Sequence, residues 1–310
     1  MDLELDYKGN KAFRLLNIYE RLNKGELLNK AELANDFSVS LKTVQRDIDD
    51  LRAYLVEAHF DENETAIKYD RIKKGYYLVR FEREWLTNEE VLALCKILLE
   101  SRAFCKEELK VLKGKLLMQV MPKDRQNIEN IIKSEYMNYV PLRHNQKLLT
   151  PIWKLSRFIT ETERISFTYS RQDGQKGEYL VEPVSIMFSE YYFYLIAFFA
   201  DHSKNHPTVF RIDRIKNIQG TKVHFDIPYR KKFNDGEFRK RVQFMYSGKL
   251  RRVTFEYSGQ SIEAVQDRLP TAEILHEQND VYTIRVEVYG NGIDMWLRSQ
   301  GDFVKVVDDK

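Results

Sequence analysis

The sequence predicts an α+β chain of several domains: three N-terminal helices closed by a β-hairpin, a helical bridge, a small β-barrel and a C-terminal α+β unit. Three observations predict it. Apolar residues recur at helical spacing through residues 13–55 and again through 87–133. After residue 160 the pattern shifts to short alternating runs bounded by turn residues. Beyond residue 250, strand and helix patterns follow one another as β-α-β-β-α-β. The expected divisions are 1–80, 81–145, 146–226 and 227–310, and 310 residues suffice for several separate cores.

In the first division, Phe13, Leu15, Leu16, Ile18, Tyr19 and Leu22 recur on one face of a helix that Gly25 closes. Asn29 and Glu32 form an N-x-x-E start, close to a capping box, for a short helix through Phe37. Residues 36–39 make a tight turn into Ser40, whose hydroxyl suits an N-cap. The helix SLKTVQRDIDDLR, 40–52, places Leu41, Val44, Ile48, Leu51 and Leu55 on one face. Lys42, Thr43, Gln45 and Arg46 lie on its N-terminal half, off that seam, where such side chains can bond to base edges and phosphates. Ala66–Tyr69 and Tyr76–Val79 read as two strands around a turn carrying Lys73 and Lys74. Those lysines suit backbone phosphates, and a purely structural hairpin with solvated lysines accounts for them equally well.

Three helices with a short second connection, followed by a hairpin, resemble the DeoR-like winged helix-turn-helix domains of bacterial transcription factors. TVQRDIDDL and the later GYYL carry the resemblance, which covers residues 11–80. It implies a double-stranded DNA partner, contacted by Ser40, Lys42, Thr43, Gln45 and Arg46 on the helix and by Lys73 and Lys74 on the wing.

Composition excludes several classes. No apolar run is long enough to span a bilayer, and residues 1–10 are acidic, unlike a signal peptide. The two cysteines, Cys95 and Cys105, both in helical apolar patterns, point to a reducing, cytoplasmic setting and to core packing. The six histidines show no metal-ligand spacing, and no P-loop, nucleotide-binding glycine fingerprint, GxSxG or HExxH is present. No metal, cofactor or catalytic residue is therefore expected. The net charge of +3 conceals an asymmetry: residues 1–80 carry 14 Lys/Arg against 15 Asp/Glu, whereas residues 204–252 carry 14 against 4. The strongest nucleic-acid-like charge thus lies far from the expected DNA reader.

In the bridge, Thr87 and Glu90 form a capping box for a helix through Ser101, and further helices follow over 107–120 and 125–133, with Pro122 at the break. Their leucines fit a dimer contact or an ordinary core. From Pro151 a helix runs to about Thr160. Strands follow over 164–169 and 178–184 around an Asp173-Gly174 turn, then over 191–199, 209–215 and 218–225. Five short strands after a helix predict a small, strongly bent barrel.

This barrel resembles a WYL domain. The triplet that names that family stands here as Phe193-Tyr194-Leu195, the segment FRIDRI, 210–215, matches the family's FRxDRI strand, and Pro183 falls at a usual proline position. Phe193 in place of tryptophan keeps an apolar aromatic but removes the indole donor. The resemblance implies an Sm-like or SH3-like fold and a ligand-sensing role toward nucleic acid or nucleotides. Carried over residue by residue, the ligand-binding groups are Tyr169, Arg171, Tyr194, Arg211 and Arg214. Two arginines beside tyrosines would combine planar forks for phosphate with flat faces for bases. Arg214 paired with Asp213, and the tyrosines packed as core, are the structural alternatives.

A basic segment with interleaved aromatics, Tyr229–Lys232 and Arg239–Arg241 around Phe233 and Phe238, reads as a solvated linker helix or a nucleic-acid contact. The final β-α-β-β-α-β order predicts a ferredoxin-like domain and resembles the extension that follows WYL domains, with Trp296 in its last helix. The sequence therefore predicts a homodimeric, ligand-responsive transcription regulator. Its winged helix-turn-helix binds an operator, and single-stranded DNA, an oligonucleotide or a nucleotide controls it through the WYL barrel. A non-transcriptional single-stranded nucleic-acid-binding protein is the alternative, and an enzyme is not expected.

Overall fold

The computed structural model describes residues 10–23, 26–59, 67–79, 86–120, 122–226 and 233–309. Gly25, Ala66 and the basic residues 229–232, all named above, lie outside them. The chain divides into two compact units, Met1–Glu100 with Leu109–Tyr139, and Ser101–Glu108 with Val140–Lys310. Among the described residues no helix is long and apolar enough to cross a membrane.

The first unit opens with α1 (Lys11–Asn23), α2 (Lys30–Asp36) and α3 (Leu41–His59). Each start has a side-chain acceptor for an otherwise free N–H: Asn10 for Ala12, Asn29 for Ala31 and Ser40 for Thr43. The Asn29 cap forms as expected. Ser38, at φ 52°, takes the left-handed conformation that reverses the chain between α2 and α3. Ile18, Leu22, Leu33, Phe37, Val44, Ile48, Leu51 and Leu55 form one core with Ile67, Tyr76 and Leu78 of the hairpin. Leu41 is not part of this seam: it is 52% exposed, one turn above the core on the first turn of α3.

The hairpin pairs β1 (Ile67–Asp70) with β2 (Gly75–Leu78) in antiparallel register. Leu28 adds a third, one-residue edge, exchanging both backbone hydrogen bonds with Tyr76 at 2.8 Å. Asp70 forms the turn by accepting from the N–H groups of Ile72 and Lys73.

The bridge consists of α4 (Asn88–Ser101), α5 (Lys106–Leu117) and α6 (Pro122–Met137). The Thr87–Glu90 capping box is reciprocal, with Glu90 accepting from the Thr87 N–H and Thr87 from the Glu90 N–H. Pro122 sits at the first position of α6, where its missing N–H has no helical partner to lose. Val91, Cys95, Leu99, Leu117, Ile128 and Ile132 are buried. Both cysteines are free and buried, in keeping with core packing.

The second unit contains α7 (Leu149–Thr160) and five strands: β3 (Glu163–Ser170), β4 (Lys176–Ser189), β5 (Tyr192–Phe199), β6 (Thr208–Arg211) and β7 (Ile215–His224). They form one antiparallel sheet in the order β6-β5-β4-β3-β7. Buried Glu108 caps α7, accepting from the N–H groups of Leu148 and Leu149 at 2.9 and 3.0 Å. The long β4 carries a bulge between Pro183 and Ser185, which bends it. Phe167, Tyr179, Phe199 and Phe210 fill the concave side, with ring centres 5.2–6.2 Å apart, several edge to face.

One element differs from the expectation. FRIDRI is not a strand: β6 stops at Arg211, and Ile212–Arg214 is a 3-10 turn leading into β7. Arg211 and Arg214 therefore do not share a strand. The buried Ile212 draws the chain inward at this corner, breaking the alternation that the sequence pattern implied.

Next, α8 (Asp235–Arg241) lays Phe238 against Met187 and Ile196 on the outer face of β4 and β5. The C-terminal part runs β8 (Leu250–Tyr257), α9 (Ile262–Arg268), β9 (Glu273–Gln278), β10 (Val281–Tyr289), α10 (Gly292–Ser299) and β11 (Val304–Asp309). The expected β-α-β-β-α-β order is present, and the sheet order is β11-β8-β10-β9 with all neighbours antiparallel. Val265, Ile293, Trp296 and Leu297 of the helices cover Val253, Phe255, Ile284, Val286 and Val288 of the sheet.

Candidate nucleic-acid interface and ligand site

On α3, Lys42 and Arg46 are exposed and have no hydrogen-bond or ion-pair partner among the described residues. Thr43 is half-buried, and its hydroxyl bonds the Ser40 hydroxyl at 2.9 Å, so both form part of the cap. Gln45 is the most constrained of the five. Its amide oxygen accepts from Lys30 Nζ and from the Tyr76 hydroxyl, both at 2.9 Å, while its nitrogen donates to Asp49. This network joins α2, α3 and the wing. Lys73 and Lys74 are exposed on the hairpin turn, where Asn29 donates to the Lys74 carbonyl.

The acidic run behind the reader is neutralised internally. Asp47 points inward and forms a bidentate pair with Arg14 of α1, at 2.7 and 3.2 Å, with both side chains buried. Asp49 pairs with Arg52 and Asp50 with Lys11. Three carboxylates that sequence alone sets beside Arg46 are thus matched by three cations of the same unit.

The second cluster lies where β5 and β6 pair. Tyr194 stands directly across from Arg211. The Arg211 guanidinium lies over the Tyr192 ring, its carbon 3.4 Å from the centre, while Asp213 holds Nε and Nη2 at 3.0 and 2.8 Å. Strand alternation explains the grouping: Tyr192 and Tyr194 share the outer face of β5, whereas Phe193 and Leu195 pack toward the barrel core. The Tyr169 hydroxyl accepts from the Arg211 N–H at 3.3 Å, and its ring packs edge to face on Phe210 and Tyr179.

Arg171 and Arg214 are not gathered here by any bond. Arg171 is exposed in the β3–β4 hairpin, 3.5 Å from Asp173. Arg214 is half-buried with no partner among the described residues. The Asp213 pairing considered for Arg214 belongs to Arg211 instead.

The electrostatics follow from burial and that pair. Burial pushes the Tyr194 hydroxyl up to about 12, partly offset by the nearby Arg211 charge. Burial, the largest single influence, pulls the Arg211 guanidinium down, but the hydrogen bond to Asp213, the Asp213 charge and the neighbouring tyrosines together leave it above its ordinary value. His144 is held below its ordinary value of 6.5, first by burial, with Asp213 and Arg211 acting in opposite senses. Its ring centre lies 6.3 Å from that of Tyr192. Its Nδ1 accepts from the Gln146 N–H, which puts the proton of the neutral ring on Nε2. With Nε and one Nη2 proton of Arg211 taken by Asp213, the other edge, Nη1 with the second Nη2 proton, is left to donate to a ligand oxygen.

Sequence reasoning missed Tyr192, Asp213 as the partner of Arg211, and His144. Alternation along β5 could have found Tyr192, two residues before Tyr194. Nothing in the local sequence marks His144.

Much of the basic segment 204–252 is likewise paired. Lys240 and Arg241 pair with Glu237, Arg251 with Asp294, Arg252 with Glu287, and Arg239 donates to the Phe188 carbonyl. Glu237 is consequently lowered to about 2, by its bonds to Lys240 and then Arg241. Among the described residues no group of His, Cys, Asp and Glu is placed to hold a metal ion.

Comparison with known proteins matches residues 14–61 to a family described as an HTH domain and residues 153–219 to one described as a WYL domain. No curated protein matches the chain. Among solved structures, it is similar to the proteasome accessory factor B/C (PafBC) of Arthrobacter aurescens at 17% identity and a TM-score of 0.31. That alignment covers 95% of this chain and 46% of the other, so this chain spans less than half of that protein's length. A CRISPR Cas-related protein aligns at 12% identity and a TM-score of 0.37, over 97% of this chain and 87% of the other. The helix-turn-helix match falls on α1–α3 and the WYL match on α7 and the sheet that follows, so the chain carries a helix-turn-helix domain and a WYL domain.

Proposed function

We propose that this protein is a ligand-responsive, DNA-binding transcription regulator that acts as a homodimer and has no catalytic activity. The observation that carries the reading is the state of α3. Lys42 and Arg46 stand exposed on its N-terminal half, within the helix-turn-helix match, with no partner among the described residues, while Asp47, Asp49 and Asp50 are each held by a cation. Lys73 and Lys74 would add phosphate contacts from the wing, and two copies would place their readers on half-sites about one helical turn apart.

The effector, on this reading, binds at Arg211, Tyr192 and Tyr194 and is single-stranded DNA, an oligonucleotide or a nucleotide. A guanidinium with one free edge offers a phosphate contact, and the tyrosines offer faces for a base. To control DNA binding, the effector must prefer one dimer geometry over another. We also read the WYL sheet as a small Sm-like barrel and the C-terminal unit as ferredoxin-like, on strand order.

The test is selection of operator sequences by the full-length protein from a random duplex pool, followed by footprinting. A discrete protected site, weakened by Arg46→Ala, is the expected result. Binding that is uniform across sequences and falls steeply with salt would overturn the regulator reading in favour of a general nucleic-acid-binding protein.

A further inference from the structure

A cavity of about 410 Å3 lies in the second unit, between α9, α10 and the β4–β5 turn. It belongs to none of the sites described above. Phe244, Tyr257 and Trp296 supply aromatic walls, and Arg268, Gln300 and Glu190 supply polar groups. Its volume falls in the range of small-molecule sites, which are lined mainly by apolar and aromatic side chains with a few placed polar groups.

Arg268 decides the chemistry. Its guanidinium lies over the Phe244 ring, 4.7 Å from the centre, which fixes its plane. Nη1 bonds Glu190 at 3.1 Å, and Nε is buried without an acceptor. Nη2 has no partner among the described residues and is not enclosed, so this nitrogen can donate to a ligand. Both members of the Arg268–Glu190 pair are more than a third exposed or close to it, at 34% and 41%. Such a pair is weak, and a better-placed anion can displace the carboxylate.

We propose that this cavity is a second ligand site, which takes a small planar aromatic molecule bearing a carboxylate. The ring lies among Phe244, Tyr257 and Trp296. The carboxylate takes the Arg268 fork in place of Glu190, and Gln300 supplies a further hydrogen bond. A bidentate carboxylate would engage more of the guanidinium than Glu190 does through Nη1 alone.

The experiment titrates the full-length protein with benzoate, indole-3-acetate and the neutral indole-3-acetamide, using calorimetry and ligand-observed NMR. At least one carboxylate is expected to bind with a Kd below 1 mM (about −4 kcal/mol), and the amide at least ten-fold more weakly. Arg268→Gln should weaken carboxylate binding at least ten-fold. Ala264→Trp, at an exposed position on the cavity wall, should abolish it. Glu190→Gln should tighten it, because it removes the competing carboxylate, and a gain cannot arise from misfolding. Absence of binding by either carboxylate, or binding unchanged in both Arg268→Gln and Ala264→Trp, overturns the proposal.

Discussion

Arg211 lies flat over Tyr192, 3.4 Å from the ring centre, and Asp213 grips the same guanidinium along one edge. Stacking fixes the plane and the carboxylate fixes the rotation, so the remaining edge points in a set direction. Arg211→Ala is expected to cost about 1.5–3 kcal/mol in nucleotide or single-strand binding, the worth of a hydrogen bond to a charged group. Arg211→Lys should recover little of it, since an ammonium neither stacks nor forks. Fluorescence anisotropy with a short labelled single strand checks both, and equal affinity of Arg211→Ala and the unaltered protein would sink the site.

The pair Arg14–Asp47 ties α1 to α3 within a sealed core. Asp47→Ala leaves a buried cation without its main counter-charge and is expected to destabilise the domain by about 3–5 kcal/mol. Replacing both residues with apolar ones of similar volume should cost far less. Denaturant unfolding of the two variants measures the difference. A small loss for Asp47→Ala would mean that the pair is hydrated.

Arg46→Ala should weaken operator binding by about 1–3 kcal/mol, the value of one good base contact. Gln45→Ala acts differently, because its amide is committed to Lys30, Tyr76 and Asp49. It is expected to lower the melting temperature along with affinity. Gel shift and thermal unfolding on the same samples separate these effects.

Glu108 places two carboxylate oxygens on the first N–H groups of α7. Glu108→Ala is expected to cost about 1–2 kcal/mol, typical of a lost N-terminal cap. Glu108→Gln, which keeps one acceptor, should fall between, as measured by chemical denaturation.

His144 contributes a pH dependence of definite sign. Its folded value lies below 6.5, so the unfolded chain binds the proton more readily. Stability is therefore penalised at low pH, and the penalty disappears as pH rises through the folded value to 6.5. His144→Gln should flatten the rise in melting temperature between pH 5 and 7. An unchanged slope would place the titration elsewhere.

Local pattern revealed a good deal. The caps at Asn29, Ser40 and Thr87, the wing turn and the aromatic strand β5 were legible because each depends on residues a few positions apart. The same reasoning failed at Leu41, which has helical spacing but lies beyond the end of the core, and at 212–214, where one buried isoleucine turns a strand pattern into a 3-10 corner.

By itself the sequence determined the order of helices and strands, and with it both modules, since period and capping are local properties. Tertiary structure alone decided which charges remain free. Asp47 meets Arg14 across 33 positions, Gln45 meets Tyr76 across 31, and Arg268 meets Glu190 across 78. The physical reason is that a charge exerts its effect through its neighbours in space, and these neighbours are assigned only when distant segments pack.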